Sequence, residues 1–180
     1  MPEMPTKLAE IVEEFADAPR DVVLEMLLEY ADVVPPLPAG VDRDDLEQVP
    51  ECQTAFFLRA EVAPDGTVTT VFDCPPEAPT TRAFAGILAE GLAGASAAQV
   101  LDVPDDLYQR MGLAQAISPL RVRGGTAILA RLKRQVREQA GCAGGCLRSW
   151  RSRSTPTWSA PGATSASAAS NRPWRRTTAR

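Results

Sequence analysis

The residues of this 180-residue chain best suited to covalent chemistry are its four cysteines, since the sequence contains no histidine. They are Cys52, Cys74, Cys142 and Cys146. Without histidine there can be no Ser-His-Asp triad, no Cys-His dyad and no histidine metal ligand. Proton transfer would depend on carboxylates, lysine, arginine, tyrosine or the groups of a partner.

Cys52 lies in the stretch "QVPECQTAFFL", where a turn-like segment leads into a predicted strand. A cysteine beside a strand is more often buried packing than a reactive group. Pro50 and the polar Glu51 and Gln53 instead indicate a loop edge, where a mobile segment meets a rigid scaffold. Glu51 is a like charge that disfavours the thiolate. Composition and spacing therefore leave the role of Cys52 open.

The other cysteines give weaker signals. Cys74 lies at the far end of a predicted hairpin and could approach Cys52, because the start of one antiparallel strand lies near the end of the next. We favour a spectator thiol, since a disulfide needs strict geometry. Cys142 and Cys146 are spaced C-x3-C, which supplies half of a zinc site, and we predict no metal there.

Arg121 and Arg123 are the other candidates, because they fall in the first turn of the last predicted helix. Cations at a helix start oppose the helix dipole, so ordinary surface design would not choose them. They are either solvated or attract an anion, and the spacing does not decide between these interpretations.

Helices are predicted before and after a central hairpin. An apolar stripe at helical spacing predicts a first helix with Thr6 as N-cap, and Pro19 separates it from a second. Two further apolar stripes predict a helix capped by Thr80 or Thr81 and a long last helix that begins with Ser118 and Pro119. The stripes are Leu8, Ile11, Val12, Phe15; Val23, Met26, Leu27, Tyr30; Phe84, Ile87, Leu88, Gly91, Leu92; and Ile128, Leu129, Leu132, Val136.

The region between the outer helices predicts strands and short helices. Alternation over residues 56–62, the turn "APDGT" and the return "TVTTVFD" predict an antiparallel hairpin, and "VDRDDLEQVPE" is predicted to be an acidic turn. The segments "SAAQVLDV" and "DDLYQRMGL" each predict a short helix. The cations of "RLKRQVR" are predicted to lie in the last turns of the final helix, where its dipole favours them. The predicted class is α+β, with helices packed on a small antiparallel sheet.

The chain changes character near Ala140. Residues 1–140 hold all 23 Asp and Glu against 12 Lys and Arg, a formal charge of −11, whereas residues 141–180 hold seven Arg and no acid, a charge of +7. We predict a domain over 1–140 and a disordered basic tail over 141–180. The tail could be a linker or a nucleic-acid or membrane arm; we favour translation of GC-rich DNA out of frame.

The remaining composition predicts a cytoplasmic protein. No apolar run in the sequence approaches the roughly 20 residues needed to cross a bilayer, and the acidic N-terminus has no signal-peptide apolar region. We therefore expect no membrane partner and no nucleic-acid partner for the domain.

Three blocks of the sequence resemble the SufE family, the sulfur-acceptor partners of cysteine desulfurases. "ECQTAFFL" is similar to the Gly-Cys-Gln-Ser block that carries the family's sulfur-accepting cysteine, which corresponds to Cys52 followed by Gln53. "EAPTTRAFAGIL" is similar to an acidic-Ala…basic-Gly helix entry, matching Glu77 and Arg82. "ISPLRVRGGTAILARLKR" resembles a Thr/Ser-Pro-x-Arg-x-x-Gly helix, matching Arg121 among others. The order and spacing of the blocks make the match specific over roughly residues 6–140.

The resemblance implies a SufE/IscU-like fold and a role for Cys52 in sulfur transfer. A SufS-type, pyridoxal-phosphate cysteine desulfurase would pass persulfide sulfur to Cys52, and the sulfur would go on to an iron–sulfur scaffold complex. Gln53, Glu77 and Arg121 would handle the partner or the persulfide. The cofactor would belong to the partner, so the chain would hold none and would not act as a stand-alone enzyme. Glu51 and Ala83 depart from the family pattern, which has glycine at both positions.

Two other classes of function stay open from the sequence. An iron–sulfur scaffold would need several thiolates, and the predicted domain offers only Cys52 and Cys74. A redox module could toggle a disulfide between the same two cysteines.

Overall fold

The computed structural model describes residues 4–142, which form an α+β fold. Within these residues, seven α-helices and one short 3₁₀ helix surround a three-stranded antiparallel sheet with strand order β1-β2-β3. This confirms the predicted class. The elements are α1 (Thr6–Asp17), α2 (Arg20–Glu29), a 3₁₀ helix (Arg43–Asp45), β1 (Glu47–Gln48), β2 (Phe57–Val62), β3 (Val68–Asp73), α3 (Pro79–Gly91), α4 (Ala97–Asp102), α5 (Leu107–Arg110), α6 (Leu113–Ala116) and α7 (Pro119–Cys142).

The first helix follows its predicted stripe, and the second buries two of its four predicted stripe residues, Val23 and Leu27, while Tyr30 follows its last residue. The four stripe residues of α1 are all buried, which confirms the stripe. The prediction of Thr6 as N-cap is wrong: Pro5 precedes the helix in an extended conformation and Thr6 is its first residue. Proline has a backbone angle that fits a helix entry, so it can precede α1 without a side-chain hydrogen bond. Pro19 takes the same position before α2.

The central hairpin is confirmed. β2 and β3 pair from Phe57 opposite Asp73 to Val62 opposite Val68. At the turn, the Gly66 amide donates to the Ala63 carbonyl at 2.9 Å. Gly66 has φ +85°, a conformation that a residue with a side chain rarely adopts. This geometry is that of a short hairpin loop with glycine in the left-handed position.

The acidic segment before the hairpin contains a third strand that the sequence did not reveal. β1 pairs with β2, with Glu47 opposite Leu58 and Gln48 opposite Phe57. The prediction of a plain turn is therefore wrong for these residues. A strand of two residues is too short to show a hydrophobic period, so only its pairing partner identifies it.

Beyond β1, side chains of α7 cover the edge of β2. The Gln135 Oε1 atom accepts a hydrogen bond from the Ala60 amide at 2.7 Å. Gln139 Nε2 donates to the Ala60 carbonyl at 2.6 Å, and Gln139 Oε1 accepts from the Val62 amide at 2.9 Å. These side-chain amides satisfy the strand groups that a longer β1 would have paired.

Helix α3 has the predicted apolar face and a different start. Its N-cap is Ala78, with Pro79 as the first helical residue, so the prediction of Thr80 or Thr81 as cap is wrong. Proline suits this first position because its missing N–H would be unpaired there in any case. Gly86 lets α3 approach the end of α2, since a Cβ at Gly86 would lie 1.9 Å from the Tyr30 carbonyl oxygen.

The short helices after α3 are only partly as predicted. Helix α4 begins after Ser96, whose hydroxyl accepts from the Gln99 amide. The segment "DDLYQRMGL", predicted as one helix, contains α5 and only the first residue of α6, because Gly112, with φ +70°, separates the two helices. Single glycines in this conformation end helices, and the apolar pattern alone did not show the break.

The long helix α7 begins at Pro119 as predicted and buries its four stripe residues. It continues to Cys142, so the cations of "RLKRQVR" do not lie in its last turn and the dipole interpretation is wrong. Arg131, Lys133 and Arg134 make tertiary contacts instead. Lys133 is buried and donates to the Val103 carbonyl at 2.7 Å and to Asp105 at 2.6 Å.

The predicted domain of residues 1–140 falls mostly within the part that the structure describes. Apart from its first two residues, which end α7, the predicted basic tail of residues 141–180 lies outside the described residues, together with residues 1–3. No helix between residues 4 and 142 combines the length and the apolar character needed to cross a bilayer.

Candidate functional site

The candidate site is a cavity of about 240 Å³ between the β1–β2 loop, the loop before α3 and the start of α7. It brings together residues that are far apart in the sequence. The lining residues are Cys52, Gln53, Thr54, Glu77, Ala78, Pro79, Thr80, Thr81, Phe84, Leu120, Arg121, Gly124 and Gly125.

Cys52 reaches the cavity from the loop that joins β1 to β2. The loop is closed by the Val49 amide, which donates to the Phe56 carbonyl at 2.8 Å. Inside it, the Cys52 amide donates to the Val49 carbonyl at 3.1 Å, which makes residues 49–52 a β-turn. Pro50 occupies the second position of this turn, where its fixed φ is favourable. The sequence thus bends the chain immediately before the thiol.

The thiol packs closely against α7 at Gly124, where the absence of a side chain leaves room for the sulfur atom. A Cβ built on Gly124 would lie 3.3 Å from the Cys52 Sγ atom, which is tighter than most such contacts. On the next residue, a Cβ on Gly125 would lie 3.0 Å from the ring of Tyr108. The two glycines therefore let the loop, helix α7 and the core meet at the thiol.

The surroundings of Cys52 keep the thiol protonated. The pKa of Cys52 is raised to about 11, chiefly by burial and to a lesser extent by the charges of Glu51 and of a Cys74 thiolate. The predicted unfavourable effect of Glu51 is present, but burial is the larger cause. At neutral pH the group is therefore an unactivated thiol, which is a weak nucleophile.

Glu51 is held by an arginine of α7. Arg131 donates from Nε to Glu51 Oε2 at 3.0 Å and from Nη2 to Glu51 Oε1 at 2.7 Å. Its third donor, Nη1, reaches Glu47 Oε1 at 2.5 Å. The hydrogen bonds from Arg131 are the main reason that the pKa of the Glu51 carboxyl is lowered. The sequence did not predict these contacts, because the partners are about 80 residues apart.

The three residues predicted to assist Cys52 line the same cavity. Gln53 follows the cysteine, Glu77 comes from the loop before α3, and Arg121 comes from the first turn of α7. Arg123 lies in the same turn and is exposed, but it is absent from the described lining of the cavity. The structure therefore separates two arginines that the sequence could not distinguish.

Cys74 is a buried free thiol at the end of β3. Burial raises its pKa to about 11, against the opposing effect of Arg82. Arg82 donates to the Cys74 carbonyl at 3.3 Å and to the Ala31 carbonyl at 3.1 Å. This arginine, which the family resemblance singled out, thus ties α3 to the end of β3 and to the segment after α2. Cys74 is not among the described residues that line the cavity.

Tyr108 forms part of the core behind the thiol, a role that no pattern in the sequence indicated. Its ring packs edge-on against Phe84, with ring centroids 4.8 Å apart. Among the described residues, its hydroxyl is the buried side-chain oxygen with no hydrogen-bond partner. Burial, with a smaller effect of charge on Cys52, raises the pKa of Tyr108, so the phenol stays neutral.

Within residues 4–142, no three or more Cys, Asp or Glu side chains cluster to hold a metal ion.

Comparisons with known proteins agree with this fold. Residues 9–136 match the SufE family, described as an Fe-S metabolism associated domain. SufE-like proteins from two strains of Mycobacterium tuberculosis are each 47% identical over 135 residues, covering 75% of this chain and 94% of theirs. A chloroplastic/mitochondrial SufE-like protein 1 of Arabidopsis thaliana is 28% identical over 123 residues, covering 68% of this chain and 32% of its own.

A solved structure supports the same assignment. The solution structure of a hypothetical protein from Thermus thermophilus has a TM-score of 0.69 and 47% identity, covering 77% of this chain and 98% of that one. The matched domain and the SufE-like relatives support a role in iron–sulfur metabolism and sulfur transfer. The chain belongs to the SufE family.

Proposed function

We propose that this protein accepts persulfide sulfur on Cys52 from a SufS-type cysteine desulfurase, stimulates that enzyme and passes the sulfur to an iron–sulfur scaffold complex. Pyridoxal phosphate belongs to the desulfurase in this scheme, and the chain itself needs no cofactor. The location is the cytoplasm, as the sequence predicts.

The observation that carries the proposal is the shared cavity of Cys52, Glu77 and Arg121. The thiol is partly buried, on a loop, at the edge of a space large enough for an added sulfur atom. Arg121 supplies a positive charge at the cavity wall, which suits a persulfide that is anionic at neutral pH. A loop position lets the thiol be sheltered and then presented to a partner.

The transfer step balances without an external oxidant. The Cys52 thiolate attacks the terminal sulfur of the partner's cysteine persulfide. A sulfur–sulfur bond forms at Cys52, the sulfur–sulfur bond on the partner breaks, and the partner's cysteine leaves as a thiolate. The proton lost from Cys52 can go to that leaving group or to solvent.

The raised pKa of Cys52 assigns part of the activation to the partner. A thiol with a pKa of about 11 is mostly protonated at neutral pH, so it reacts slowly with stray electrophiles. Since burial is the main cause, moving the loop out of its cavity would return the pKa toward the ordinary cysteine value. Docking on the desulfurase would then expose and activate the thiol in one motion.

A desulfurase assay tests the proposal. The wild-type protein should accelerate alanine formation from cysteine by a SufS-type desulfurase. Cys52→Ser should abolish the acceleration, while its far-UV circular dichroism spectrum should match that of the wild type. Cys74→Ser is the matched control and should retain most of the effect. Equal loss in both variants would favour the two-thiol redox module, and full acceleration by Cys52→Ser would exclude Cys52 as the acceptor.

A further inference from the structure

We propose that Arg131 is a positioning residue, which holds the Cys52 loop in its sheltered position by binding Glu51, and that the loop opens when this ion pair separates. The inference deepens the proposed function, because it rests on Cys52 as the sulfur acceptor. It assigns a role to two residues that lie outside the cavity lining.

The geometry links Arg131 to the thiol through one residue. Glu51 immediately precedes Cys52, so fixing the Glu51 carboxylate restrains the thiol. Both carboxylate oxygens are bound by Arg131, at 3.0 and 2.7 Å, in the two-pronged arrangement that guanidinium and carboxylate groups favour. Gly124, against which the thiol packs, lies seven residues before Arg131, about two helical turns, and so on the same side of α7.

A second set of contacts anchors the start of the same loop. Arg131 Nη1 and Gln135 Nε2 both donate to the Glu47 carboxylate, at 2.5 and 2.8 Å, and Arg134 also pairs with it. The chain segment before the thiol is thus bound to α7 at positions 47 and 51. The segment after the thiol begins with Gln53, whose side chain is exposed. A loop held mainly on one side can swing outward when that side is released.

The ion pair is accessible enough to be reversible. The side chains of Glu51 and Arg131 are 50% and 24% exposed, so water can replace their mutual contacts. Ion pairs of this kind contribute modestly to stability, and their separation is expected to change the open population by about fivefold rather than to unfold the chain. The pair therefore biases the loop toward closure and still permits opening.

Removing Arg131 has two effects of opposite sign on Cys52, and this makes the test sharp. Loss of a nearby cation disfavours the thiolate and slows its alkylation. Release of the loop exposes the thiol and speeds its alkylation. We would treat the full chain with iodoacetamide, an uncharged reagent, and follow the Cys52 peptide by mass spectrometry. Arg131→Gln should react about fivefold faster than wild type if positioning dominates.

Matched controls separate positioning from general damage. Arg137→Gln removes an exposed cation from the same helix and should leave the Cys52 rate unchanged. Alkylation of the buried Cys74 in the same samples reports global opening and should also stay unchanged. A slower or unchanged Cys52 rate in Arg131→Gln would overturn the proposal, and so would equal acceleration at Cys74.

A double-mutant cycle tests whether Arg131 acts on the loop through Glu51. Glu51→Gln should speed Cys52 alkylation, and Arg131→Gln should add less acceleration in the Glu51→Gln background than in the wild type, because the Glu51 contact is already lost and only the contact with Glu47 remains to be broken. Additive acceleration would contradict a role through Glu51. None of these measurements uses a desulfurase, so their failure is distinguishable from failure of the sulfur-acceptor function.

Discussion

Cys52 combines burial, which suppresses its reactivity, with a place in the β1–β2 loop that gives access to partners. Its pKa of about 11 arises chiefly from desolvation, so its reactivity in the isolated protein depends on pH in a defined direction. Below the pKa, the thiolate fraction rises about tenfold with each pH unit, because each unit removes a factor of ten in proton activity.

The pH profile of alkylation is therefore the first prediction. The rate at Cys52 should climb continuously from about pH 7 to about pH 10, whereas the rate at an exposed cysteine, whose pKa is ~8.5, levels off above about pH 9.5. Peptide mass spectrometry after timed iodoacetamide treatment measures it. A plateau that begins about one pH unit above the ordinary cysteine pKa would show that the thiol is not sheltered as the structure describes.

Arg121 and Arg123 provide a pair of variants that differ in one respect. Both are exposed cations in the first turn of α7, but only Arg121 belongs to the cavity lining. Arg121→Ala should slow sulfur transfer about tenfold, an amount consistent with losing one charged hydrogen bond. Arg123→Ala should transfer at the wild-type rate. Melting curves should be similar for both, and equal transfer rates would make Arg121 an ordinary surface residue.

At the scale of elements, α7 makes three kinds of contact: it packs against the Cys52 thiol, binds the loop that carries this thiol and covers the edge of β2. The first contact depends on Gly124, where a Cβ would press on the Cys52 Sγ atom at 3.3 Å. Alanine is the better helix former, so the change gains up to about 1 kcal/mol in helix propensity while it narrows the space for sulfur.

Gly124→Ala should therefore separate stability from function. We expect the free energy of unfolding in urea to change by less than about 1 kcal/mol, because the two effects oppose each other. Sulfur loading should fall, because the persulfide needs room beside the helix. Gly141→Ala, at a helix position with no atom near the added Cβ, is the control. Unchanged loading in Gly124→Ala would show that the thiol moves away from α7 before it reacts.

The sequence predicted elements whose signal is local and missed those that depend on distant partners. The α1 and α7 stripes, the turn at Gly66 and the helix start at Pro119 follow from periodicity or backbone preference, which neighbouring residues determine. The strand β1 and the Arg131–Glu51 contact arise from residues that meet only after folding. No helical or strand period in the sequence encodes them.

The same distinction applies to the site. Residue type and spacing indicate Cys52 and Arg121 as candidates, the resemblance to the SufE family adds Gln53 and Glu77, and the structure places all four around one cavity. Nothing local distinguished Arg121 from Arg123. The unpartnered hydroxyl of Tyr108 could also not be predicted from the sequence, because burial of a single polar atom depends on every element that packs around it.

At the scale of the whole molecule, the apolar core of the described fold is built from residues spread along the chain from Leu8 to Val136. The predicted basic tail has no acid and no hydrophobic period, so we expect it to add little to folding. Truncation after Cys142, which keeps all of α7, should shift the melting temperature by less than about 2 °C and leave sulfur transfer intact. A loss of several degrees would show that residues 143–180 pack on the domain.

The most direct measurement is the mass of the full chain after incubation with a cysteine desulfurase and cysteine, without reductant. A persulfide on Cys52 adds one sulfur atom, about 32 Da, to the intact protein and to the Cys52 peptide, and the addition should be removed by dithiothreitol. Cys52→Ser should gain no sulfur, and Cys74→Ser should gain it as wild type does. Sulfur found on Cys74 in place of Cys52, or full loading of Cys52→Ser, would contradict sulfur acceptance at Cys52.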